Sequence, residues 1–161
     1  MKTRALLILV SMSLACVELL PKAQAVSPPP DGGYPAGNTA EGQNALLNLT
    51  SGAYNTAVGF LSLSSITRGN FNTGVGAGTL LANTAGNNTA TGGGALLSNT
   101  TRGNNTANGK SDLFSNTTGT YNTANGVGAL ENNTIGGTNT ATGVQALEHN
   151  TTASDNTAYG G

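Results

Sequence analysis

One bulky apolar residue recurs against a background of small and polar ones. Leu46, Leu63, Leu80, Leu96, Leu113, Leu130 and Leu147 follow one another at 17 residues, with a single step of 16. Eight residues before each leucine stands an Asn-Thr pair, at Asn38-Thr39, Asn55-Thr56, Asn72-Thr73, Asn88-Thr89, Asn105-Thr106, Asn122-Thr123 and Asn139-Thr140, and an eighth pair follows at Asn156-Thr157. A period of this length marks a stacked repeat architecture, in which function lies along a surface rather than in an enclosed pocket.

Counting each first Asn as position 0, a glycine stands at +4 in all eight repeats (Gly42, Gly59, Gly76, Gly92, Gly109, Gly126, Gly143, Gly160) and a threonine at +12 in the seven complete ones. The consensus is N-T-A-x-G-x-x-A-L-x-x-N-T-T-G-x-x. Within N-T-A-x-G the small residue at +2 alternates with a variable residue at +3, the pattern of a short strand with +2 inward and +3 outward. The leucine is the candidate interior residue. Its neighbour at +7 is small in most repeats, and Asp112 in that column is expected to face water. The short repeat loses its residue after Thr84, where a turn can shrink without shifting strand register.

Geometry limits what else a repeat can hold. Stacked strands repeat at roughly 4.8 Å, whereas a helix with its side chains is about 10 Å across, so a full helix per repeat cannot stack straight. The expectation is an all-β repeat solenoid, a parallel β-roll or β-helix of about eight 17-residue coils. Each coil would carry one strand followed by a second strand or a tight 3₁₀ turn. The interior is thin, and at ~25 cal/mol per Å² it struggles to offset the ordering of so many Gly, Asn and Thr residues. Coil-to-coil ladders of Asn and Thr, and association of several chains, are the expected remedies. The structural repeat residues singled out are Asn55, Thr56, Gly59 and Leu63; Asn88, Thr89, Gly92 and Leu96; Asn105, Gly109 and Leu113; Asn122, Gly126 and Leu130; and Asn139, Gly143 and Leu147.

Outside the repeats, Lys2 and Arg4 precede an apolar run ending at Val17, and Ala23-Gln24-Ala25 has the small-x-small form of a signal-peptidase site. Residues 1–25 therefore read as a signal peptide, 26–36 as a Pro/Gly-rich linker and 37–161 as the repeat domain, in an exported protein that is secreted or held at the cell surface. A competing reading takes Ser13-Leu14-Ala15-Cys16 as a lipoprotein box with Cys16 lipid-modified. In either case no cysteine remains for a disulfide. The charges beyond the signal are Arg68, Arg102 and Lys110 against Asp31, Glu41, Asp112, Glu131, Glu148 and Asp155. This mildly acidic balance would not hold a polyanion, so no nucleic-acid partner is expected.

Candidate chemistry is sparse. His149 is the one histidine, and with no second His or Cys beyond the signal there is neither a zinc set nor a nucleophile-base pair. Gly109-Lys110-Ser111 ends like a phosphate-binding loop, but Asn104 stands where that motif needs its first glycine. No enzyme activity, cofactor or metal is expected. Asn-x-Ser/Thr sequons at Asn48, Asn87, Asn99, Asn104, Asn116, Asn132 and Asn150 follow from composition.

The recurring N-T-A-x-G with x-x-A-L resembles the head repeats of trimeric autotransporter adhesins, the YadA-like head. It is also similar to repeats of bacterial and phage fibre proteins that lie upstream of a chaperone domain. The resemblance covers about 37 to 161. It implies a left-handed parallel β-roll, a homotrimer, inward small residues at Ala40, Ala57, Ala90, Ala107, Ala124, Ala141 and Ala158, and a surface that binds host matrix or other cells; a polysaccharide ligand is expected instead from an exposed array of evenly spaced Asn and Thr. The family usually repeats at a shorter period than 17. The sequence ends at Tyr159-Gly160-Gly161, soon after a fresh Asn-Thr mark, so the expectation is a truncated relative or a secreted piece, with no transmembrane anchor in this chain. The alternative is an ice- or glycan-binding solenoid presenting exposed Asn and Thr. Disorder is a third reading, opposed by the invariant Gly-to-Leu spacing.

Overall fold

The computed structural model describes residues 34–160. The expected signal peptide, the candidate lipoprotein cysteine and the expected linker up to Gly33 lie outside the described residues. Eight three-residue strands, β1 (Thr39–Glu41), β2 (Thr56–Val58), β3 (Thr73–Val75), β4 (Thr89–Thr91), β5 (Thr106–Asn108), β6 (Thr123–Asn125), β7 (Thr140–Thr142) and β8 (Thr157–Tyr159), form one parallel sheet in sequence order. The chain is an all-β parallel solenoid of about seven turns. A single 3₁₀ turn, Pro35–Gly37, precedes the first coil, and Tyr34 packs against its core.

Register follows the repeat. Thr pairs with Thr at every step, and the residue at +2 pairs with its equivalent, including Thr73↔Thr89 and Gly74↔Ala90 across the short coil. The deletion is absorbed in the turn: Asn72 Nδ2 donates to Ala85 O at 2.9 Å, as Asn55 Nδ2 donates to Gly69 O at 2.9 Å one coil earlier. Each strand shows the expected alternation, with its central residue turned inward. Glycine at +4 ends the strand for a steric reason. Gly59 has φ +127°, and a Cβ there would lie 2.6 Å from Gly76 O of the next coil.

No second strand appears in the repeat among the described residues. The segment from +5 to +12 is a chain of turns in which N–H groups that close the turn, such as Ser62 N to Gly59 O at 3.2 Å, are interleaved with N–H groups that reach the next coil, such as Leu63 N to Thr79 O at 3.0 Å and Leu113 N to Ala129 O at 3.0 Å. The leucines are interior as expected, fully buried from Leu63 to Leu130 and partly buried at Leu147. All seven have φ between 51° and 53°, the left-handed region. That conformation costs a non-glycine residue about 1–2 kcal/mol, comparable to what burying a leucine returns at about 1.5–3 kcal/mol. The leucine stack therefore contributes less net stability than its burial alone implies.

Asp112 does not face water. The +7 column turns inward in every complete coil, and Asp112 is fully buried in it. Its carboxylate accepts the Gly126 and Ala129 N–H groups of the next coil, both at 2.9 Å. The exception at +2, Gly74, has its explanation in the same column. A Cβ at Gly74 would lie 2.6 Å from Ser62 Oγ and 2.9 Å from Thr79 Oγ1, hydroxyls that replace the usual alanine and bond each other at 2.8 Å.

Candidate functional surface

The eight Asn residues that begin the coils are interior, not an exposed array. All are buried except Asn156 in the last coil. Each Oδ1 accepts the backbone N–H of the Asn one coil on, at 2.8–3.1 Å over the seven steps. The side-chain amides add bonds along the same line, such as Asn72 Nδ2 to Asn55 Oδ1 at 3.0 Å and Asn156 Nδ2 to Asn139 Oδ1 at 2.9 Å. Among the described residues no buried side-chain nitrogen or oxygen lacks a partner. A narrow interior rich in amides is tolerable only on that condition.

A second internal column sits at +11. Asn99, Asn116, Asn133 and Asn150 each donate Nδ2 to the Oδ1 of the Asn one coil before, at 2.8–2.9 Å, beginning from Asn83. The other amide hydrogen bonds a turn carbonyl of the same coil, for instance Asn133 to Gly136 O at 2.9 Å. Sequence reasoning placed this Asn in the consensus without assigning it to the interior. The signal that could have found it is substitution, because the equivalent positions in the first two coils are Leu49 and Ile66.

With these two Asn columns inside, every strand presents a threonine on its outer side. The +1 threonines, among them Thr56 and Thr89, project from the outer face of the sheet in all eight strands. None of their hydroxyls is engaged in a hydrogen bond within the described residues. The +12 threonines behave differently. Thr84, Thr100, Thr117 and Thr134 donate their hydroxyls to the +12 carbonyl of the next coil at 2.9–3.1 Å. One threonine column therefore stitches coils together, and the other presents free hydroxyls.

Of the residues singled out from the sequence, Asn55, Asn88, Asn105, Asn122 and Asn139 form the first ladder, and Leu63, Leu96, Leu113, Leu130 and Leu147 the leucine stack. Gly59, Gly92, Gly109, Gly126 and Gly143 end the strands. Gly109 and Gly126 flank the Asp112 coil and lack the positive φ of the other three. At Gly109 a Cβ would fall on the Gly126 carbonyl oxygen. Burial pushes the Asp112 carboxyl above its ordinary value of 3.8, opposed by the backbone N–H groups it accepts.

The remaining exposed features are scattered. Tyr54 and Phe71, each immediately before a first Asn, stack at 5.2 Å with 13° between planes and stay about 60% exposed. His149 is exposed, and no three His, Cys, Asp or Glu residues gather as a metal-binding set among the described residues. The sequons divide: Asn48, Asn87, Asn104 and Asn132 are exposed, whereas Asn99 and Asn116 are locked in the second ladder. No family model matches the chain, and neither the curated proteins nor the solved structures gave a match.

Proposed function

We propose that this chain is a non-enzymatic, exported structural or adhesive module of the adhesin-head kind, assembling as a homotrimer and engaging its target along the repeat surface. The observation that carries the reading is the unbroken register of eight parallel strands over two internal Asn ladders. Such a stack is a stiff rod whose outer faces repeat coil by coil, and a repeated face binds by many weak contacts in line. Support for lateral association comes from apolar side chains turned outward beyond the sheet: Leu47, Phe60, Val127 and Val144, each 49–60% exposed. Sedimentation equilibrium of the protein beginning at Val26 tests the assembly. A stable trimer is expected, and a folded monomer at micromolar concentration would remove the adhesin-head reading.

A second reading, a solenoid that binds ice or glycan, is favoured by one feature. The hydroxyls of the +1 column are unengaged and set at the strand spacing of about 4.8 Å. The Asn column that opens the coils does not support it, because it is buried. Thermal hysteresis in dilute solution would establish the ice-binding form.

A further inference from the structure

We infer that the outer face of the parallel sheet is a binding platform for an extended, uncharged polysaccharide chain. The inference rests on the reading of the repeat surface as the binding surface and names the face and the ligand chemistry. Its outward columns, +1 and +3, carry no charged side chain from β2 to β8; Glu41 on β1 is the one ionisable carboxylate on that face among the described residues. A charged polymer finds no counter-charge there, and burying it on neutral hydroxyls would leave its ions unpaired.

The two outward columns differ, and the difference selects among neutral ligands. Column +1 is threonine throughout, with free hydroxyls. Column +3 is Val58 and Val75 on β2 and β3, then Thr91, Asn108, Asn125 and Thr142 on β4 to β7. Asn108 Nδ2 already donates to Asn125 Oδ1 at 3.0 Å, which holds both amides flat along the axis with donor and acceptor capacity to spare. Ordered water demands a uniform lattice, and the change from valine to hydroxyl and amide breaks it. A sugar chain offers both chemistries, apolar C–H faces and equatorial hydroxyls, and repeats along its own length. An apolar stretch of the face followed by a polar stretch suits such a chain lying across several strands.

The test uses the protein from Val26 with two solid probes, microcrystalline cellulose and chitin, and anionic alginate beads as a charged comparison. Retention on at least one neutral glycan and not on alginate is expected. Replacing two hydroxyls by methyl groups in Thr106→Val/Thr123→Val keeps shape and strand propensity and should weaken retention about tenfold, as two lost hydrogen bonds would. Thr117→Val removes a hydroxyl bonded to Thr134 O on another face and should leave retention unchanged. No retention on either neutral glycan, or equal retention by Thr106→Val/Thr123→Val, overturns the inference; so does thermal hysteresis without glycan binding. Oligomeric state is read separately, so a trimer that fails to bind sinks this inference alone, and a monomer that binds sinks only the assembly proposed above.

Discussion

The first two coils and the five that follow fill the same internal position with opposite chemistry. At +11 the early coils carry Leu49 and Ile66, packed with the apolar core, and the later ones carry Asn83, Asn99, Asn116, Asn133 and Asn150 in a hydrogen-bonded file. Both solutions leave no buried polar atom unpaired, yet they behave differently at a boundary. An apolar residue can end anywhere, whereas a ladder amide needs a neighbour on each side. Asn83 is the first rung, with Ile66 behind it, and Ile66 cannot accept. Asn83 Nδ2 keeps the turn bond of its own coil, to Ala85 O at 2.9 Å, and turns its other hydrogen sideways to Asn72 Oδ1 at 3.4 Å. The first ladder thus supplies the partner that the second one lacks.

Breaking the later region in its middle has the largest expected effect. Asn116→Leu leaves one Asn133 amide hydrogen without its acceptor and Asn99 Oδ1 without its donor, two buried orphans, and should cost about 3–5 kcal/mol; urea denaturation midpoints read it. Asn83→Leu moves the boundary by one coil, taking the acceptor from one Asn99 amide hydrogen and from the half-buried Ala85 N–H, and should cost about 2 kcal/mol on the same measurement. Ile66→Asn extends the ladder backward. The new amide has the Gly69 carbonyl within its own coil and offers Oδ1 to Asn83, so gained bonds offset most of the lost burial, leaving a cost of about 1 kcal/mol. Should Ile66→Asn prove as damaging as Asn116→Leu, the two regions would not be interchangeable and the boundary argument would fall.

The smallest effect concerns Asp112, an acid in a column that the other coils fill with Ala, Ser or Thr. Its folded-state carboxyl titrates above 3.8, because burial disfavours the charge. Folding therefore favours the protonated form. The Asp112 contribution to stability is fully present below 3.8 and is lost as pH rises through the elevated folded value. Asp112→Ala lets Ala129 N–H return to the Gly126 carbonyl, the turn bond made by Ala95 to Gly92 and Ala146 to Gly143. It should stabilise the protein at pH 7 by up to about 1 kcal/mol and remove the Asp112 part of the acid-side gain. Parallel melting curves from pH 3 to 7 for the two proteins decide it. An unchanged pH profile would mean that the Asp112 charge is better compensated than its burial implies.

Much of the coil was legible residue by residue. Thr-Ala-x before Gly59 or Gly92 reads as a strand because alternation of small-inward and variable-outward residues requires period two. Leu63 and Leu96 read as interior because no other bulky apolar position recurs. The missing residue after Thr84 reads as a turn because only a turn can shorten without breaking Gly74↔Ala90 pairing. Asp112 misled because a lone acid in a small-residue column looks solvated. The backbone N–H groups of Gly126 and Ala129 that make its burial tolerable belong to the next coil, and nothing in the local sequence announces them.

By itself, then, the sequence determined the period, the register and the identity of each stacked column, because a repeat must place like on like at every turn. The tertiary structure alone decided which of the polar columns face in. Asn and Thr are equally polar and equally periodic, and either could have been outside. The coil closes with Asn inside because an amide can donate along the axis and across the turn together while accepting from the next coil, satisfying itself without water. A threonine hydroxyl has a single hydrogen to donate. Strand alternation, with the residues at 0 and +2 turned in, sets the +1 threonines out to solvent and leaves their hydroxyls free.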